Sequence, residues 1–255
     1  MLRTHAAFCS TLYTRFPVSA KPPMIEFGHG SHTGLRRDHN EDTYSADADL
    51  GLWVVADGMG GHDHGEVASA LARDYVVREI INGKSLSQAI VFADSEIMRM
   101  SNERRSERPM GTTVVALLIR GTDYEVAWVG DSRIYLFHNQ LKQISKDHSY
   151  VQELVDTGVL TPDQAKTSPH RNVVTQALGV TQPDQLKVET VRGTLLPGMQ
   201  LMLCSDGLTE EVDDSHIEQI MGRGLSAQET VDHLILSALD NGGSDNVTVL
   251  LIKCR

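Results

Sequence analysis

Apolar residues recur along this chain in two rhythms. Short, dense runs at Trp53–Ala56, Thr113–Ile119, Tyr124–Val129, Ile134–Phe137, Leu201–Cys204 and Val247–Ile252 are rich in β-branched and aromatic residues, and they predict buried strands. Elsewhere the period lengthens. Ala68, Ala72, Val76 and Ile80 stand four apart behind Asp63-x-x-Glu66, a capping-box pattern, and predict a helix with one apolar face. Leu86, Ala89, Ile90, Ala93, Ile97 and Met100 predict a second helix. Ser226-x-x-Glu229 opens a third, with Val231, Leu234, Ile235 and Ala238 facing inward. The strands come in consecutive groups and not in βαβ alternation, which predicts an α+β fold of antiparallel sheets with helices outside. Between Asp147 and Gly179 both rhythms give way to short helical turns, one started by Thr161-Pro162 and one ended by Gly158. That stretch reads as an insertion over the surface.

Composition narrows the classes. With 255 residues, 40% of them hydrophobic, the chain can bury a sizeable core in one or two domains. No repeat or low-complexity linker divides residues 24–255, so one domain is expected there. Thirty-four acids against 23 Lys and Arg give a net charge of -11, which argues against a nucleic-acid partner. The longest wholly apolar run, Val114 to Ile119, falls far short of the ~20 residues of a membrane span. Cys9, Cys204 and Cys254 are too few for a disulfide framework and fit a reducing, cytoplasmic setting. Residues 1–23 differ from the rest: from Met1 to Ile25 there is no acid, while Arg3, Arg15 and Lys21 are basic. They read as a disordered tail bounded by Pro22 and Pro23; a transit peptide, or a start upstream of a true initiator at Met24, are the alternatives.

Carboxylates follow the strands closely. The runs Trp53–Ala56, Tyr124–Val129 and Leu201–Cys204 lead into Asp57, Asp131 and Asp206; Asp245 stands just before the last run, and Glu41 and Asp42 adjoin an early one. One Asp-Gly is an ordinary turn dipeptide. If the strand ends share one edge, however, four or five carboxylates converge, and such a cluster stays ionised only beside cations. Oxygen ligands without a Cys/His set call for hard ions, Mg²⁺ or Mn²⁺. Cys204, inside an apolar run, is expected to be an inert thiol.

Taken in order, Arg37-x-x-Asn40-Glu41-Asp42, Ala56-Asp57-Gly58-Met59-Gly60-Gly61-His62, Gly111-Thr112-Thr113, Val129-Gly130-Asp131-Ser132-Arg133, Ser205-Asp206-Gly207-Leu208 and Ser244-Asp245-Asn246-Val247-Thr248 resemble the metal-dependent Ser/Thr protein phosphatases of the PPM superfamily, type 2C, in their bacterial single-domain form. The resemblance spans about residues 25 to 255. It implies a central antiparallel β-sandwich flanked by helix pairs on both sides, with residues 147–179 as a flap beside the active site. It implies two Mn²⁺ or Mg²⁺ ions bridged by Asp57, with the Gly58 carbonyl, Asp42, Asp206 and Asp245 as further ligands and Asp131 with Asp206 holding a weaker third ion. A turn-forming role for Asp131 is the alternative. Arg37 would bind phosphate, Glu41 hold a water, and Asn246 orient Asp245 or a water.

The chemistry implied is hydrolysis of phosphoserine and phosphothreonine in proteins by a metal-activated bridging hydroxide, opposing a Ser/Thr kinase, in a monomer that binds phosphorylated proteins. The third position of the Asp-Gly-His found in eukaryotic members is Met59 here, so His62 becomes the candidate general acid, with His39, His64 or a metal-bound water as rivals. A catalytically dead scaffold and a structural metal-binding domain are the competing readings. The first has no reason to keep a repulsive carboxylate cluster, and the second has no use for Arg37.

Overall fold

A computed structural model of the chain describes residues 24–60, 64–104 and 110–255. The expected tail, with Cys9, and the expected capping residue Asp63 lie outside them.

Two antiparallel sheets stack face to face. In the first, β1 (Ile25–His32), β11 (Val247–Cys254), β10 (Gln200–Cys204), β7 (Arg133–Phe137) and β8 (Leu141–Gln143) lie in that order. The second runs β2 (Asp42–Asp47), β3 (Leu52–Met59), β5 (Val114–Arg120), β6 (Asp123–Val129) and β9 (Glu189–Thr194), with β4 (Gly111–Thr112) paired antiparallel to the end of β3. Trp53, Val55, Val115, Leu117, Val126 and Trp128 of one sheet meet Ile134, Leu201, Leu203, Leu250 and Ile252 of the other in a shared core.

Side chains on a strand alternate between faces, so the same strands supply two outer cores. Val54, Ala56, Val114 and Ala116 pack against α1 (His64–Ile81) and α2 (Leu86–Arg104). Ala68, Ala72, Val76 and Ile80, and Leu86, Ala89, Ile90, Ala93 and Ile97, are buried as their spacing predicts. On the far side, Met202, Cys204, Val249 and Leu251 pack beneath α5 (Asp206–Thr209), α6 (Asp214–Met221) and α7 (Ala227–Asp240). The layers are α-β-β-α, the expected architecture.

Helix α7 opens with the expected capping box, in which the Ser226 hydroxyl accepts from Glu229 N–H and the Glu229 carboxylate from Ser226 N–H. Between Asp147 and Gly179 the chain forms α3 (Tyr150–Asp156) and α4 (Pro162–Lys166), the latter capped by Thr161; Gly158, in the left-handed region, follows α3. Strands β1, β2 and β9 carry no apolar run. They are sheet edges, where one side of the strand meets solvent and the hydrophobic signal fades. At Gly28 a Cβ would lie 2.6 Å from the Ala227 main chain, so the glycine marks where α7 crosses the edge strand.

Candidate functional site

The strand directions bring the acidic residues together. Asp42 begins β2 and pairs in register with Asp57 near the end of β3. Asp131 and Asp206 each stand two residues past β6 and β10, and Asp245 two residues before β11. Since β2–β3 and β10–β11 are antiparallel, these starts and ends fall on one edge of the sandwich.

Each carboxyl is held by local chemistry. One oxygen of Asp42, a buried residue, accepts from the Ser205 hydroxyl at 2.7 Å and from Thr248 at 2.7 Å; its other oxygen, Oδ1, is buried without a partner. Burial, outweighing those two hydrogen bonds, pushes the Asp42 carboxyl up to about 7. Asp57, Asp131 and Asp206 are likewise raised, first by burial and then by one another's charge or that of Asp42 and Asp245. Asp57 and Asp206 share a hydrogen bond that raises the first and lowers the second. Asp57 N–H donates to Thr113 Oγ1 at 3.2 Å, and Thr113 Oγ1 meets Ser132 Oγ at 2.7 Å, which ties the β3 end to the Asp131 turn.

The loop before β2 carries the cationic partner. Arg37 Nη2 donates to Asp245 Oδ2 at 2.5 Å, and the guanidinium is half-exposed at the rim. Asn246 orders this loop: its Oδ1 accepts from Glu41 N–H, and its Nδ2 donates to the carbonyls of Thr33 and His39. Asp245 Oδ1 is met by the Asn246 main-chain N–H and not by its amide. Burial raises the Glu41 carboxyl, which abuts Gly65: a Cβ at Gly65 would lie 2.8 Å from Glu41 Cδ. At Gly58 a Cβ would lie 2.2 Å from the Gly65 carbonyl oxygen, so the chain at Asp57-Gly58 runs directly against the start of α1.

The donor set fits hard divalent cations. Among the described residues no three of these side chains are gathered closely enough to hold one ion as they stand. The buried partnerless oxygen of Asp42 and the raised carboxyls around it are nevertheless what positive charge would relieve. His62 lies outside the described residues, and His39 is exposed. Cys204 is buried in β10, its thiol pushed up to about 12 by burial, and is no nucleophile. Sequence reasoning passed over Ser205 and Thr248. Both stand in the motifs beside Asp206 and Asp245, but only the register of β10 on β11 reveals their shared hold on Asp42.

Glycine is required beside Asp206. A Cβ at Gly207 would lie 2.1 Å from the Asn246 carbonyl oxygen. Gly207→Ala is therefore expected to destabilise the protein by roughly 2–3 kcal/mol, read from urea unfolding. An unchanged midpoint would mean that α5 moves off Asn246 freely.

Comparison with known proteins gives a consistent picture. The family model described as protein phosphatase 2C matches residues 30–239. The serine/threonine phosphatase Stp of Listeria monocytogenes is 35% identical over 238 residues, covering 86% of this chain and 92% of that protein. The serine/threonine protein phosphatase PstP of Mycobacterium tuberculosis is 36% identical over 236 residues, 89% of this chain but 45% of that longer protein. Among solved structures, Stp1 of Staphylococcus aureus superposes with a TM-score of 0.84 at 32% identity, covering 94% of this chain and 99% of that one. A PstP catalytic domain in complex with two manganese ions superposes at 0.80 with 32% identity, covering 90% and 97%.

Proposed function

The chain belongs to the protein phosphatase 2C family and is a metal-dependent protein serine/threonine phosphatase using Mn²⁺ or Mg²⁺; on that footing we propose how its residues divide the work. Asp42, Asp57, the Gly58 carbonyl, Asp206 and Asp245 hold two divalent cations, and Asp131 with Asp206 holds a weaker third. Glu41 retains water at the site, and Asn246 orders the loop that carries Arg37 and Glu41. Bound cations supply an acidified water and positive charge that counters the phosphoryl oxygens.

The chain's own residues do the rest. Arg37 swings its guanidinium fork from Asp245 to the phosphoryl oxygens, which fixes the phosphorus against the carboxylate edge. His62 is assigned the proton delivered to the departing serine or threonine oxygen, on sequence grounds alone. The observation that carries this reading is the buried, mutually raised carboxyl cluster with a half-exposed arginine at its rim.

We place the catalytic domain at residues 24–255, with residues 147–179 as its flap, in a bacterial cytoplasm and acting as a monomer opposite a Ser/Thr kinase. The bacterial relatives support that setting. No helix among the described residues is long and apolar enough to cross a membrane.

The test is hydrolysis of a phosphothreonine peptide with Mn²⁺ and with chelator. Activity is expected only with the ion, and Arg37→Ala should raise KM about tenfold or more with kcat changed only a few-fold. Equal activity in chelator would overturn the metal assignment. An unchanged KM in the variant would remove Arg37 from phosphate binding.

A further inference from the structure

Asp42 sits in a closed ring of hydrogen bonds. Its main-chain N–H donates to Asn40 Oδ1 at 3.1 Å, and Asn40 Nδ2 donates to Ser31 Oγ at 2.9 Å. Ser31 Oγ lies 2.8 Å from Thr248 Oγ1, which donates to Asp42 Oδ2 at 2.7 Å and completes the circuit. A hydroxyl has one hydrogen to give. Thr248 spends its own on Asp42, so it accepts from Ser31, and Ser31 accepts from the Asn40 amide. Each hydroxyl of the ring thus gives in one direction, toward Asp42.

Ser205 brings a second donor to the same oxygen. Thr248 N–H donates to Ser205 Oγ at 3.0 Å, which leaves the Ser205 hydrogen for Asp42. Ser205 stands at the N-cap of α5, where a serine oxygen ordinarily accepts from a main-chain N–H of the first turn. Here it caps nothing, so the support a helix usually draws from such a serine is forgone and the hydroxyl goes to Asp42 instead. Ser205 and Thr248 are both buried, whereas Ser31 is exposed.

We propose that Ser205, Thr248 and Ser31 are positioning residues, which hold Asp42 by Oδ2 so that Oδ1 is kept for a divalent cation. This rests on the assignment of Asp42 to the metal site. Hydroxyl donors stabilise the ionised carboxylate, the form that binds a cation, and two of them on one oxygen stop the carboxyl group from turning. Oδ1 is buried, and among the described residues no group competes for it. A freely turning carboxyl would have to be ordered each time an ion bound, whereas the ring orders it during folding. Ser31 carries the arrangement to the surface. It is joined to Asn40, three residues after Arg37, so the loop that bears the arginine also sets the carboxylate.

Calorimetric titration of the full chain with Mn²⁺ reads this directly, beside thermal melts in chelator that show each variant to be folded. Thr248→Val keeps the shape of the side chain and removes the hydroxyl. It is expected to weaken Mn²⁺ binding by roughly 10–100-fold, as is Ser205→Ala. Thr248→Ser restores the donor and should bind within about threefold of wild type. Ser31→Ala, at an exposed position that leaves the core untouched, should weaken binding by about three- to tenfold, because Thr248 Oγ1 then loses its own donor. Wild-type affinity in Thr248→Val would overturn the positioning role; should that variant not fold, wild-type affinity in Ser31→Ala would overturn it. Equal weakening in Thr248→Ser and Thr248→Val would make the effect one of packing and overturn it as well. Asp42→Asn tests the underlying assignment separately. It should bind Mn²⁺ at least as weakly as Thr248→Val, and binding like wild type would remove Asp42 from the metal site and this proposal with it.

Discussion

Asp206→Ala is expected to lower turnover by at least about a thousandfold while leaving the metal-free protein as stable as wild type, or more so. Asp206 stands at the first position of α5, where its charge favours the helix only slightly, by about 0.3–1 kcal/mol. Against that, it faces Asp245, shares a hydrogen bond with Asp57 and raises Asp131. Removing one carboxylate from such a group relieves repulsion and desolvation together. Under the proposed assignment its function is lost, because both the paired and the third cation would draw on it. Phosphopeptide kinetics at saturating Mn²⁺, beside thermal melts in chelator, separate the two effects. Near-normal turnover would take Asp206 out of the site, and a melt several degrees lower would make it a structural residue.

The same cluster predicts an unusual pH dependence for the metal-free protein. Asp42, pushed up to about 7 by burial, and Asp57, Asp131 and Asp206, also raised, bind protons more tightly folded than unfolded. A raised folded pKa contributes stability that is complete below the unfolded value of about 4 and is lost as pH rises through the folded value. In chelator, stability should therefore fall by on the order of a few kcal/mol between about pH 4 and 8. The carboxylates of half-buried Glu96 and of exposed Asp156, Asp213 and Glu229 are lowered by hydrogen bonds to Arg99, Lys146, Ser215 and Ser226 respectively. They act in the opposite sense, and only below about pH 4. Mn²⁺ should flatten the upper slope, because a bound cation replaces the protons. Urea midpoints across that range, with and without the ion, measure it. A chelated midpoint that climbs toward pH 8 would show that the carboxyls are not strained against one another.

By itself the sequence determined the central strands, the three long helices and the set of aspartates at strand ends. Trp53–Ala56, Val114–Ile119 and Val247–Ile252 are apolar on both faces because each strand is covered twice, by the other sheet and by helices. Asp57, Asp131 and Asp206 are legible because they end the apolar runs Trp53–Ala56, Tyr124–Val129 and Leu201–Cys204 at the point where the chain leaves the core. The short helix α6 and the edge strands β1, β2 and β9 were not legible, since their half-exposed positions carry mixed residues and their order comes from a neighbouring chain segment. Tertiary structure alone decided which groups meet. The hold of Ser205 and Thr248 on Asp42 spans 163 and 206 residues of sequence, and the Arg37–Asp245 pair spans 208. Local pattern reports what each residue requires of its surroundings, whereas partners so distant are chosen by strand register, and register is set by the packing of the whole sandwich.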